Sequence, residues 1–303
     1  MEGYSHRKYA DAMSEFGSQQ KLSLCGGYIL ERKIPGSKYI DAMGLYPFFS
    51  CRDWSMVPQD LQNFGKRYIS VSLVTDPFAT VSLEFLEKYF DIVRPFKTHY
   101  VTHFNQPIQN IVRKSSRQDA YKALEMMDVE ICHQPIKYLN EWVSLYENII
   151  EKHNVDAINK FSVRSFKFQL EIPGMVMFLG RQGTEIVGAV LYLMHDSVCY
   201  GHLAAFTSDG YKIKAFNGIL WKALDYMNQR GIQYLSHGGS AGTHEKSDDG
   251  LAMFKRGWSN EKRQVYFCGK IYDIENYENI CIDKKVEQTD YFPAYRSGEF
   301  HSA

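Results

Sequence analysis

The sequence predicts an α/β protein with mixed sheets, built as two domains in tandem. Three observations predict it. The chain has 303 residues, 45% of them hydrophobic, which is material for two cores of ordinary size. Its apolar residues switch repeatedly between period 2 and period 3.6, so strands and helices alternate. Both halves place a Phe-Lys pair near a final strand, as Pro95-Phe96-Lys97 and as Met253-Phe254-Lys255. The boundary is expected near Gln134-Pro135, giving domains over 1–134 and 135–303.

In order, Tyr4 to Phe16 has helical spacing of Tyr9, Ala12, Met13 and Phe16. Strands are expected at Lys21–Cys25 and Tyr28–Lys33, joined by Gly26-Gly27 as a hairpin turn. Pro58 suits the first turn of a helix to Phe64, because proline there gives up only an orphan donor. Tyr68–Val74 alternates β-branched residues and reads as a strand. Leu83 to Phe90 reads as a helix. Asp91 to Phe104 reads as a strand interrupted by Pro95. Ser115 to Met127 is a helix with capping-box spacing of Ser115 and Gln118, and Val129–Cys132 is a strand.

The second half opens with an amphipathic helix over Ile136–His153, with Trp142, Val143, Tyr146, Ile149 and Ile150 on one face. A helix over Ser162–Leu170 ends before Pro173-Gly174. Met175–Gly180 and Glu185–Met194 form a hairpin through Gln182-Gly183, and Val198–Phe206 is the third strand of the meander. A helix over Gly210–Gln229 and a strand over Gln233–His237 follow. A glycine-rich polar loop, a short helix and a last strand reach Asp273.

Bulk composition narrows the function. Lys+Arg and Asp+Glu are both 35, so net charge is zero and the pI is near 7.1. That argues against a general nucleic-acid or membrane-surface binder. Six cysteines are scattered without a C-x-x-C pair, as expected of reduced, mostly buried thiols in a cytoplasmic protein. The N-terminus lacks a signal-peptide core, and no apolar window is long enough for a membrane span. No metal site is expected, because histidines and cysteines lack zinc spacing. No G-x-S-x-G elbow accompanies Ser240, which argues against a serine hydrolase.

Val198–Phe206, the helix over Gly210–Gln229 and the strand over Gln233–His237 resemble the central part of the GNAT acyltransferase superfamily. Leu235-Ser-His-Gly-Gly-Ser240 followed by Gly250-Leu-Ala-Met-Phe-Lys-Arg-Gly-Trp258 is similar to the double-GNAT, Fem-like (FemAB-type) branch, with Trp in place of a final Phe. The resemblance implies two tandem GNAT-like domains over about Ser5 to Tyr295, with the active cleft in the second. It implies N-acyl transfer from acyl-CoA to an amine of a small molecule, peptide or cell-envelope precursor. A Fem-like ligase would take its acyl group from aminoacyl-tRNA instead, and a non-catalytic binding protein on the same fold is the third reading.

The resemblance also implies site residues. A free backbone N–H on the central strand, within Tyr200 to Ala205 and so at residues such as Leu203 and Ala204, would bind the acyl carbonyl. Gly210, Lys212, Lys214 and Ala215 stand where acyl-CoA enzymes hold the pyrophosphate. The sequence departs from the family here, since Ser208–Gly218 has no G-x-G/A. Lys255 would stabilise the oxyanion, with Phe254 and Trp258 shaping the acceptor pocket. His237, at a strand end, and His202, in mid-strand, are candidate bases. Glu245, Asp248 and Asp249 could hold an amine by charge. The ordinary alternatives are a surface lysine, hydrogen-bonded structural histidines and a solvated acidic loop. Arg52, Arg94, Lys97, His99 and His103 are expected in structural or surface roles.

Overall fold

The computed structural model describes residues 3–153, 160–240 and 250–299, excepting the side chains of 66 and 151–153. The strands are β1 (Ser18–Lys21), β2 (Tyr28–Lys33), β3 (Ile40–Gly44), β4 (Ser70–Val74), β5 (Ile92–His103), β6 (Asp128–Cys132), β7 (Met175–Gln182), β8 (Glu185–His195), β9 (Val198–Phe206), β10 (Tyr234–Ser236) and β11 (Glu261–Ile271). The helices are α1 (Arg7–Ala12), α2 (Val57–Phe64), α3 (Leu83–Tyr89), α4 (Ile108–Ile111), α5 (Lys114–Met126), α6 (Leu139–His153), α7 (Val163–Leu170), α8 (Ser208–Lys212), α9 (Ala215–Gln229), α10 (Gly250–Arg256) and α11 (Ile274–Asp283).

The chain forms two compact units, one of residues 1–96, 156–161 and 265–303, the other of 97–155 and 162–264. The expected boundary at Gln134-Pro135 therefore falls inside the second unit. Pairing is the reason: β6 lies antiparallel to β7 from Asp128↔Arg181 to Cys132↔Met177. Ala120 and Ala123 of α5 also share one buried cluster with Ile219, Ala223 and Leu224 of α9. A sequence boundary is a cut in the chain, whereas these contacts join both sides of it.

In the first unit β2 is antiparallel to β1 and β3, β3 is parallel to β4, and β4 is antiparallel to β11. Its core gathers Ile29, Phe49, Trp54, Val71 and Leu86. The strand expected at Lys21–Cys25 is instead β1 followed by a loop. Both oxygens of the buried Asp60 carboxylate accept from Leu24 N, and one accepts from Cys25 N at 2.7 Å, so these amides are not available to a ladder. Strand β3 was not expected, since Ile-Asp-Ala-Met-Gly is short and interrupted by a buried aspartate. That Asp41 meets Arg296 of the C-terminal segment at 2.6 and 2.8 Å, a fork-on-carboxylate pair no local pattern announces.

In the second unit β10 is antiparallel to β5 and parallel to β9, and β9, β8, β7 and β6 continue as an antiparallel meander. Strand β5 runs through Pro95 without a break, with the proline exposed. Helix α9 packs on the meander through Ile219, Leu220, Ala223 and Leu224. The single helix expected over Gly210–Gln229 is two helices. Lys214 takes φ 56°, a left-handed conformation that ends one helix and starts the next.

Candidate functional site

The site is built where β10 stops. Its register with β9 runs Tyr234↔Val198, Leu235↔Cys199 and Ser236↔Tyr200. Strand β9 continues to Phe206, so from Gly201 onward its β10 side has no strand partner among the described residues. A β-edge without a strand partner is where a ligand's carbonyl can take a strand's place. On the other side β9 carries a bulge, because Leu191 pairs with Leu203 and Tyr192 with Gly201, leaving His202 as the extra residue.

The chain then turns through Gly238, whose φ of 76° suits glycine. Tyr100 of β5 closes the turn, its carbonyl accepting from His237 N at 2.8 Å and its N–H donating to Gly238 O at 3.2 Å. Lys255, at the end of α10, donates from Nζ to Gly239 O at 2.5 Å. Lys97 of β5 donates to Ser240 O at 3.3 Å. An added Cβ at Gly238 would stand 3.4 Å from Lys255 Nζ, and one at Gly239 3.1 Å from Lys97 Cβ. Both ammonium groups thus lie against the residues that follow β10.

Two imidazoles belong to this strand end. The registers Leu235↔Thr102 and Ser236↔Val101, with period-2 alternation, put His237 on one face and His99 on the other. His237 Nε2 meets Thr102 Oγ1 at 2.7 Å, and Thr102 Oγ1 donates to Trp258 O at 2.6 Å. His99 Nδ1 meets Ser236 Oγ at 3.0 Å, and Ser236 Oγ accepts from Gly238 N at 3.2 Å. Burial, then the charge of Lys255, lowers the His237 pKa to about 3. Burial, Lys255 and Lys97 lower that of His99 to about 3. Burial also lowers the pKa of Lys97. Both imidazoles are neutral at pH 7.

The other expected site residues are placed as follows. His202 is uncharged, its pKa lowered by burial to about 3, and bonds Gln169 Oε1 at 2.8 Å. Gln169 is fully buried and donates to Ser165, so His202 is tied to α7 and serves the packing of the bulge. Trp258 has no exposed surface, and its Nε1 is buried without a partner, so it is core rather than pocket wall. Phe254 is half-buried and stacks on Phe216 at 4.9 Å. Tyr200 and Ala205 are buried, whereas Leu203 and Ala204 are half-buried on β9. Glu245, Asp248 and Asp249 lie outside the described residues.

At the turn expected to hold pyrophosphate, helix α8 occupies the space. Thr207 caps it by accepting from Gly210 N at 3.1 Å. The N–H groups of Tyr211, Ile213, Lys214 and Asn217 go to carbonyls within the turn. Gly210 is pressed on β8, where an added Cβ would stand 2.0 Å from Val187 O. Ala215 is fully buried. Lys212 pairs with Asp209 at 2.7 Å and Lys214 with Asp119 at 2.8 Å. A phosphate cradle needs amides that point outward unpaired, and most of these are used.

Sequence reasoning missed Thr102 and Ser236, and assigned Lys97 and His99 to structural roles. Thr102 and Ser236 carried no signal, being ordinary strand residues until register places them. The repeated Phe-Lys pair was the available signal for Lys97. Of the remaining cationic candidates, His103 stacks on Tyr234 at 4.4 Å and meets Glu261 at 3.2 Å, and Arg94 lies over Phe267 at 5.0 Å in the first unit. Among the described residues no three His, Cys, Asp or Glu side chains stand together in a way that could hold a metal. None of the described helices is long and apolar enough to cross a membrane.

No protein-family model matches the chain, and no curated protein is similar to it in sequence. Solved structures are similar in fold. The C-terminal domain of a protein described as a lysylphosphatidylglycerol synthetase, from Agrobacterium fabrum, matches with TM-score 0.65 and 11% identity, over 90% of this chain and 92% of that one. FemX matches with TM-score 0.64 and 12% identity, over 90% of this chain and 93% of that one. L-PGS from Bacillus licheniformis matches with TM-score 0.60 and 11% identity, over 88% and 92%. The fold is the mixed α/β one that the sequence predicts, shared with these structures over most of the chain. Identities this low establish the fold alone.

Proposed function

We propose that the protein transfers an acyl or aminoacyl group to an amine, in its second unit, at the end of β10. The observation that carries this reading is Lys255 held at Gly239 beside neutral His237, next to the strand edge that β9 leaves open. An open edge N–H and an ammonium group are what a developing oxyanion needs. The Fem-like motif around Phe254 and Lys255 is in keeping with this, as is the lysyl group in the name of the Agrobacterium neighbour.

In the reaction the amine nitrogen attacks the donor's carbonyl carbon, and the carbonyl electrons move to oxygen beside Lys255. A C–N bond forms and the bond to the leaving group breaks. His237, with its pKa near 3, is too weak a base to carry off the proton of an attacking amine. It acts as a hydrogen-bond acceptor that orients the amine. The proton goes to the departing alkoxide, which is far more basic than this imidazole. This replaces the expectation that His237 is the general base.

An alkoxide leaves when the donor is an ester; with a thioester donor a thiolate leaves and takes the proton instead. The α8–α9 turn favours aminoacyl-tRNA over acyl-CoA, because its amides are engaged within the turn. The acyl-CoA reading keeps one supporting observation: α9 begins at Lys214 without a side-chain cap hydrogen bond. The acceptor is an amine of a small molecule, peptide or cell-envelope precursor, met in the cytoplasm. The test incubates the full chain with labelled aminoacyl-tRNA and with acetyl-CoA, scoring binding first. A ligand at one hundred times its Kd raises stability by about 2.7 kcal/mol. Saturable, salt-sensitive binding of charged tRNA without a response to CoA is the expected result. A response to acetyl-CoA alone reverses the donor, and a response to neither favours a binding protein on this fold.

A further inference from the structure

We infer that Thr102 and the carbonyl of Trp258 together fix His237 as its Nε2–H tautomer, making Thr102 a positioning residue for the site. This rests on the transfer reading for its role, but the wiring stands on hydrogen-bond accounting for a neutral ring. A threonine hydroxyl has one proton. Trp258 O is a carbonyl and can only accept, so at 2.6 Å it takes that proton. Thr102 Oγ1 then has only lone pairs to offer His237 Nε2 at 2.7 Å. The contact is a hydrogen bond only if Nε2 carries the hydrogen. Because His237 is neutral, its Nδ1 must keep a lone pair.

Geometry makes this arrangement hard to reverse. Thr102 is fully buried, in register with Leu235, and Trp258 is fully buried beneath it. Neither partner can turn to solvent. Trp258 is fixed by its own backbone, donating from N to Lys255 O at 3.0 Å. The carbonyl that orients Thr102 therefore belongs to the same helix end as Lys255. His237 itself is half-buried. The consequence is directional: the ring presents an acceptor, never a donor, to whatever approaches from its Nδ1 side. An amine with N–H to donate is recognised there, and a carbonyl or carboxylate oxygen is repelled.

The test is nitrogen-15 NMR of the histidine rings in the full-length protein at pH 7, with His237 assigned by its loss in His237→Gln. An Nδ1 resonance of the unprotonated, pyridine type and an Nε2 resonance of the protonated type are expected. Thr102→Val should move both toward averaged positions, and Thr102→Ser should restore them. In a transfer assay Thr102→Val should lower kcat about ten-fold, roughly what one neutral hydrogen bond is worth, with KM little changed. A wild-type spectrum with hydrogen on Nδ1 overturns the inference even if no variant folds. So does a Thr102→Val protein that folds with the wild-type signature and kcat. If the signature is found but no donor ever yields transfer, the wiring of His237 stands and the transfer reading is what falls.

Discussion

Lys255 reaches back from the end of α10 to the carbonyl of Gly239, with Nζ donating at 2.5 Å. The bond joins the Phe-Lys motif to the turn after β10, two segments the sequence resemblance had quoted separately. It also places a positive charge close enough to lower the pKa values of His237 and His99.

Removing that charge should affect chemistry far more than folding. Lys255→Met is expected to lower kcat by about 10²–10³-fold, the usual loss of one oxyanion-stabilising group. One hydrogen bond to a half-exposed carbonyl is worth about 1 kcal/mol of stability. Single-turnover rates and urea unfolding of the same preparation check both. A large loss of stability with unchanged turnover would make Lys255 structural.

Acid should destabilise the second unit. His99, His202 and His237 have folded pKa values of about 3 against an ordinary 6.5. The unfolded chain therefore binds more protons between those values. Their neutral burial contributes stability that is fully present above pH 6.5 and is lost as pH falls toward 3. Each contributes a slope of about 1.4 kcal/mol per pH unit in that window. Denaturant midpoints at pH 7, 6 and 5 should fall progressively, and His202→Gln should flatten the dependence. A midpoint unchanged at pH 5 would mean these histidines are not held neutral.

The first unit depends on a buried ion pair. Arg296 contacts both oxygens of Asp41, and also Lys33 O at 2.8 Å and Glu299 at 2.7 Å. Arg296→Met leaves the buried Asp41 carboxylate with only the more distant Arg32, at 3.8 Å, as a cationic partner, at a cost of up to about 3–5 kcal/mol. Pairing it with Asp41→Asn should recover a substantial part, because the uncompensated charge is gone. Equilibrium unfolding of the single and double variants measures this directly.

Gly210 tests whether the α8 turn packs or binds. An added Cβ would meet the β8 backbone at Val187 O, so Gly210→Ala must push α8 off β8. Overpacking of this kind costs about 1–3 kcal/mol. A drop in Tm is expected without any change specific to acyl-CoA. A variant of wild-type stability that selectively loses acyl-CoA binding would restore Gly210 to a phosphate site.

By itself the sequence determined the mixed α/β class and most of the strands and helices. The reason is local: period-2 and period-3.6 patterns survive in the chain because each element must bury one face. It also pointed to Phe254-Lys255 and His237, through a motif and a strand end. Tertiary structure alone decided where the units divide, since β6 pairs with β7 and α5 packs on α9, far along the chain from either. It alone made site components of Thr102, Ser236 and Lys97, because register across β5 and β10 is not written in either strand. And it alone fixed the protonation of His237. That follows from burial, from the nearby Lys255 charge and from one threonine proton already given to a carbonyl, none of which is a property of neighbouring residues in the chain.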